Sequence, residues 1–153
     1  MSDVFNSIRE VSFRALLALS ANSGKSATSD MIAAIDFITA YGKDFGLADE
    51  NLHGDNNFKF SEFTVRRDTV NKALKKLVLG GFVTVSVRQT GFVYAVNGIG
   101  KDYCSKFESD YALIYKALAY KAWELVSNRS ERAVMESINR HSIASIKGGA
   151  GNG

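Results

Sequence analysis

The sequence predicts a mainly α-helical fold with a β-hairpin, a winged helix-turn-helix domain with further helices packed beside it. Three observations lead there. From Phe63 to Val96 an amphipathic helical pattern runs into two glycines and then into two β-rich runs joined by a short turn. The stretches before and after it repeat the helical period behind serine or aspartate caps. Proline is absent from all 153 residues, so helices can run unbroken, and Pro-rich linkers or PxxP ligands are excluded.

Ser7, Ile8, Arg9 and Glu10 fit a capping box, predicting a first helix that reaches about Leu19; the alternative start is an earlier turn holding Phe5 and capped by Ser2 or Asp3. The polar ANSGKSATS that follows reads as a turn. Its Gly24, Lys25 and Ser26 do not make a phosphate loop, because Leu19 stands where the motif needs glycine and a helix stands where it needs a strand. Ser29 or Asp30 caps a second helix whose Met31, Ile32, Ile35, Phe37 and Ile38 wrap most of its circumference, which puts it at the centre of the core. Gly42 ends it.

From Lys43 to Phe60 the chain reads as irregular, with Gly46, Gly54, Asn56 and Asn57 as turn formers. Its Phe45, Leu47, Leu52, Phe58 and Phe60 predict a packed excursion, since a disordered segment would be poorer in apolar groups.

The third helix starts near Phe63. Val65, Val70, Leu74, Leu77 and Val78 form its expected buried stripe, and Arg66, Arg67, Asn71, Lys72, Lys75 and Lys76 its exposed face. Gly80 and Gly81 supply a residue that can take positive φ at its end. Strands then run from Phe82 to Val87 and Phe92 to Val96, joined at Gln89, Thr90 and Gly91.

Asn97 to Gly100 turns the chain into a short helix, KDYCSKFES. Ser109 or Asp110 caps a longer one, with Tyr111, Ile114, Tyr115, Leu118, Ala122, Leu125 and Val126 at helical spacing. A last helix begins at Asn128 or Ser130 and carries Val134, Ile138 and Ile143. The glycine-rich end reads as flexible. The expected division is a winged-helix domain at 1–108, C-terminal helices at 109–147 and a flexible tail at 148–153.

The net charge of +3 is unevenly spread. Between Ser61 and Thr90, Arg66, Arg67, Lys72, Lys75, Lys76 and Arg88 outweigh Glu62 and Asp68. Between Asp30 and Asn57, Asp30, Asp36, Asp44, Asp49, Glu50 and Asp55 outweigh Lys43. A basic face and an acidic face are predicted, the first for a polyanion or an acidic protein.

Cys104, His53 and His141 lie far apart, so neither a disulfide framework nor a zinc cluster is expected, and Cys104 reads as a small core residue. No catalytic constellation emerges; the expectation is no enzyme, no metal and no cofactor. The start lacks the basic and apolar regions of a signal peptide, and no apolar run approaches the roughly 20 residues of a membrane helix, so a cytoplasmic protein is expected.

The basic helix admits three readings. It can enter a major groove, with Arg66, Arg67, Asn71 and Lys75 on bases or phosphates and Arg88 and Gln89 at the wing on the backbone. It can dock on an acidic partner protein, or simply solvate one face. In the groove-binding case a dimeric transcription regulator is the alternative, with Tyr111, Tyr115, Tyr120 and Trp123 supplying the dimer interface. A further possibility is an acidic surface, Asp44 to Asp55, that mimics or excludes DNA.

An apolar helix ending in Tyr41 is followed by Asp44, Phe45 and Gly46, and then by Asn51, Leu52 and His53. Arg66 and Arg67 then open a leucine-bearing helix ending in Gly81, Phe82 and Val83. This succession, spanning roughly Phe5 to Val126, resembles the middle component of ABC three-component systems. That is the small accessory subunit encoded beside an SMC-like or RecN-like ABC ATPase, as in Lamassu-type bacterial antiphage defence. The loop after Phe45 lacks the prolines associated with that family.

The resemblance implies a non-enzymatic winged-helix adaptor that binds the ATPase at its head or neighbouring coiled coil, much as kleisin-type subunits do. It would help couple DNA sensing to an effector nuclease, with DNA contact only within the complex and no membrane. Asp44, Phe45, Gly46, Leu52, His53, Arg66 and Arg67 are the matched candidates for family-specific structure or contact. For one of the arginines the plainer expectation is a surface pair with Asp68 or Glu62, worth under about 1 kcal/mol.

Overall fold

The computed structural model describes residues 7–22, 25–54 and 62–140. Helix α1 (Ile8–Ala21) starts where the Ser7 hydroxyl accepts from the Glu10 amide at 3.2 Å, and it runs two residues past Leu19. Its Val11, Ala15, Leu16, Leu17, Ala18 and Leu19 are buried. The polar segment after it is not only a turn, because Ala27–Thr28 form a short strand, β1. Two residues are too few to show a period of two, so no strand signal is readable there.

Helix α2 (Ser29–Ala40) is capped by Thr28 rather than Ser29 or Asp30. The Thr28 backbone is extended, φ −71° and ψ 160°, and its hydroxyl accepts from the Met31 amide, so one residue ends the strand and caps the helix. Every residue from Ile32 to Ala40 is buried, as the all-round apolar pattern requires. A 3-10 turn follows at Gly42–Phe45, closed by Gly46 at φ 76°. The amides of Leu47 and Leu52 donate to the carbonyls of Gly42 and Ala40, folding the loop back so that Phe45, Leu47 and Leu52 pack on the core. Asn56, Asn57, Phe58 and Phe60 lie outside the described residues, as do Ser2, Asp3, Phe5, Gly24, His141, Ile143 and the tail.

Helix α3 (Phe63–Leu79) corrects the expected phase at its start: Val65 is 68% exposed and Arg66 only 4%. Val70, Leu74 and Leu77 set the buried line. Arg66 lies one residue before Arg67 and four before Val70, directly on that line, whereas Val65 is rotated away by more than a third of a turn. Gly81 takes φ 84° and releases the chain into β2 (Val83–Arg88) and β3 (Gly91–Val96). The register runs from Val83↔Val96 to Arg88↔Gly91, so the turn is the pair Gln89 and Thr90, with Gly91 already in the strand. β1 pairs with β3 at Ala27↔Tyr94 and Thr28↔Val93, giving a three-stranded antiparallel sheet in the order β1–β3–β2.

Helix α4 (Gly98–Ser105) begins three residues earlier than expected, because the Asn97 side chain caps it by accepting from the Gly100 amide. Helix α5 (Asp110–Val126) is capped by Ser109 and buries Ala112, Tyr115, Leu118, Ala119, Ala122 and Val126. Ile114, expected on that stripe, is half exposed. Residues 131–140 form helix α6, opened by the Ser130 hydroxyl accepting from Ala133, with Val134 and Ile138 buried.

The core lies where α1, α2, α3 and α5 meet, with the Phe37 ring 5.2 Å from that of Phe63 and 5.0 Å from that of Tyr41. Among the described residues no helix is long and apolar enough to cross a membrane.

At Gly100 a Cβ would stand 2.3 Å from the Phe82 carbonyl oxygen and 2.7 Å from a Val96 methyl, so α4 crosses the hairpin only because no side chain is there. Gly100→Ala should therefore cost about 1–3 kcal/mol, read as a lower urea midpoint.

Candidate functional site

The most concentrated polar chemistry lies inside the molecule. Asp36, at the middle of α2, is buried and accepts from three helices. Arg14 of α1 donates from Nε to Oδ1 at 2.8 Å and from Nη2 to Oδ2 at 3.2 Å; Arg66 of α3 donates from Nη1 to Oδ2 at 2.9 Å. The Tyr115 hydroxyl of α5 donates to Oδ1 at 2.6 Å. The Arg66 guanidinium also lies over the rings of Phe37 and Tyr41, 5.6 and 5.8 Å from their centroids.

Burial alone pushes the Asp36 carboxyl up. The charges of Arg14 and Arg66, with hydrogen bonds from Arg14 and Tyr115, outweigh it and hold the group below the usual carboxylate range. Burial and the Asp36 charge raise the Tyr115 phenol. Two guanidiniums on one carboxylate, with no opening to solvent, make a structural joint between four helices.

The joint extends to the loop after α2. His53 Nε2 and the Tyr111 hydroxyl are 2.6 Å apart with their rings stacked, and Tyr111 in turn bonds to Arg14. Burial pushes the Tyr111 phenol up to about 12. Of the other loop residues, Asp44 accepts from the Asn51 amide group at 3.4 Å, and Phe45 sets its ring edge-on to Phe37 at 6.2 Å. Leu52 packs on the core, and Gly46 holds the positive φ of the turn.

The α3 face differs from expectation. Arg66 is not a surface residue, and neither arginine pairs with Asp68 or Glu62. Arg67 is half exposed and bidentate to Asp30, at 3.1 and 2.7 Å, and its pKa is raised chiefly by that hydrogen bonding. Two residues assigned to an acidic face, Asp30 and Asp36, thus neutralise two assigned to a basic one. The helices carrying them pack together, so the two faces are not separate at this point.

Lys72 pairs with Asp68 at 3.0 Å along the helix. Lys75 and Lys76 are exposed and make no ion pair among the described residues, and Asn71 is half-buried. Arg88 and Gln89 are exposed at the hairpin end. The groove between α3 and β3 is lined by Asp30, Thr64, Arg67, Asn71, Phe92 and Tyr94. The hairpin tip above it is apolar, with Val87 76% and Phe92 61% exposed.

The aromatic residues of α5 do not form an outer face. Tyr115 is buried, Tyr111 belongs to the His53 contact, and the Trp123 indole donates to the Ala18 carbonyl at 2.8 Å, leaving Tyr120 exposed. The reason is that α5 packs against both α1 and α2. Cys104 is buried and its thiol is pushed up by that burial.

Sequence reasoning does not single out Arg14 and Asp36 as a pair. Their signal was present: each is a lone charge inside an otherwise apolar helical face, RALLALS and IAAIDFITA.

These features define a small, mainly helical protein with a short antiparallel sheet, a buried ionic joint and an α3 whose arginines are paired while Lys75 and Lys76 stay exposed. The model of the ABC-three component (ABC-3C) system Middle Component 2 family matches residues 4–147, and the chain belongs to that family. No curated protein and no solved structure matches it. As the middle component of a multi-component system, it works with partner proteins.

Asp36→Ala leaves two buried guanidiniums without their carboxylate and should cost about 3–5 kcal/mol at pH 7 by denaturant titration. Because folding lowers the carboxyl pKa, its contribution is fully present above the unfolded value of about 4 and is lost as pH falls from there toward the folded value. The gap in urea midpoint between wild type and Asp36→Asn should accordingly be smaller at pH 2.5 than at pH 7.

Proposed function

We propose that this chain is a non-catalytic small subunit of a bacterial antiphage defence complex of the Lamassu type. In this reading it binds an SMC- or RecN-like ABC ATPase and helps couple DNA sensing to an effector nuclease in the cytoplasm. Membership of the middle-component family supports it. So does the succession α1–β1–α2–α3–β2–β3 with strand order β1–β3–β2, which fits a winged helix in which α3 is the recognition helix and the hairpin is the wing.

The observation that carries the preference for a protein partner over duplex DNA is the neutralisation of α3. Of its five expected cations, Arg66 and Arg67 are held by Asp36 and Asp30, and Lys72 is held by Asp68. Phosphate binding scales with the number of cations available, and only Lys75, Lys76 and the hairpin's Arg88 are left. The acidic Asp30 and Asp68 border the groove, and the wing tip presents Val87 and Phe92, an apolar centre with a charged rim. The His53 loop, tied to the joint, keeps a fixed shape beside the core and serves as structure in this reading.

The test is co-expression of a tagged copy with the ATPase and nuclease encoded beside it. Wild type should recover the ATPase stoichiometrically and should not shift duplex DNA alone. Lys75→Glu/Lys76→Glu/Phe92→Asp should lower ATPase recovery at least tenfold with an unchanged melting temperature. A salt-sensitive shift at submicromolar protein, with no large partner recovered, would overturn the adaptor and favour a DNA-binding regulator.

A further inference from the structure

β2 is an edge strand. In the order β1–β3–β2 one side of it has no neighbouring strand among the described residues, and residues 84–88 are exposed. The register decides which backbone groups point outward. Arg88 and Gly91 flank the two-residue turn, so they exchange hydrogen bonds with each other, and so do alternate pairs along the ladder. The Asn97 amide donating to the Phe82 carbonyl at 3.2 Å keeps the same phase. The amides and carbonyls of Val85 and Val87 therefore face away from β3, in the exposed part of the strand.

Nothing in that part blunts the edge. It has no proline, lysine or bulge, and its one charge, Arg88, stands at the end. Val85 and Val87 share a sheet face with Phe92, and all three are exposed. The exposed segment, Thr84, Val85, Ser86, Val87, Arg88, is centred on Ser86 with a valine on each side.

From this self-complementarity we infer that β2 pairs antiparallel with β2 of a second copy of the chain, about a two-fold axis at Ser86. In this register Val85 lies opposite Val87 of the second copy and Val87 opposite its Val85, so the outward donors and acceptors meet in two hydrogen-bonded pairs. The two valine and Phe92 patches join on one face. On the other, Ser86 meets Ser86 and Arg88 meets Thr84, with no like charges opposed. The contact is isologous and closes after two copies. It joins the two sheets into one of six strands, β1–β3–β2–β2–β3–β1, and removes the open edge. It shares Val87 and Phe92 with the proposed partner surface but not Lys75 or Lys76, and its readout, the oligomeric state of the isolated chain, is separate from recovery of the ATPase.

Light scattering during size exclusion, run on the isolated chain over a range of concentrations, should give a mass approaching twice 16.7 kDa as concentration rises. Ser86 faces itself at a non-hydrogen-bonded position, where Cα atoms lie about 4.5 Å apart, within disulfide reach. Ser86→Cys should therefore form a covalent dimer on mild oxidation, while the buried Cys104 of wild type does not.

Val87→Pro removes an amide that points outward and leaves the β2–β3 ladder intact. It should weaken self-association at least tenfold with an unchanged circular dichroism spectrum and should abolish the Ser86→Cys cross-link. Val85→Lys, which adds charge to the edge without touching the backbone, should do the same. A chain that stays monomeric at several hundred micromolar would overturn the inference. So would a dimer indifferent to both variants, or an edge protected from hydrogen exchange only when another protein is bound.

Discussion

One carboxylate sets the geometry of this protein. Asp36 sits in the middle of α2 with Arg14, Arg66 and Tyr115 converging on it from α1, α3 and α5. A charge at full burial is tolerable only if its hydrogen bonds and its counter-charges are both in place, and here each comes from a different helix. The cluster therefore rewards one mutual placement of four helices, where aliphatic packing alone would accept several. The apolar groups around it supply area; the joint supplies register.

The outer surface follows from that placement. Arg66 must point inward, which fixes the rotation of α3 and turns Val65, Asn71, Lys72, Lys75 and Lys76 toward the outside or the groove. The end of α3 then fixes the hairpin through Gly81, and Gly100 lets α4 close over its base. The loop after α2 is bound into the same system through the contact between His53 and Tyr111. Positions scattered along the chain, such as His53 and Arg66, are linked in space by the Arg14–Asp36 pair. A rigid joint of this kind keeps the exposed helix face and hairpin in fixed relation.

Much of the local structure was legible because its causes are local. Ser7 and Ser109 cap as their neighbours predict, Gly81 takes the positive φ expected at a helix end, and α2 is buried on all sides as its composition requires. The misreadings have one common source. Hydrophobicity alone puts Val65 inside and Arg66 outside, because it carries no sign of the carboxylate beneath α3. Strand β1 is illegible in the sequence because its two residues are defined by β3, some 65 residues later, and by nothing local. The tyrosines and tryptophan of α5 looked like an interface because an aromatic face is the same whether it meets another molecule or α1 and α2.

The sequence by itself determined the mainly helical class, the hairpin and most caps, since these depend on periodicity and on side chains reaching a few residues along the chain. Only the tertiary structure decided which charges are surface and which are core. Ion pairing between residues 22 and 30 apart along the chain, as between Asp36 and its two arginines, leaves no periodic trace. Its free energy arises only once packing has removed water from both partners, and that exclusion is a property of the assembled helices rather than of any one of them.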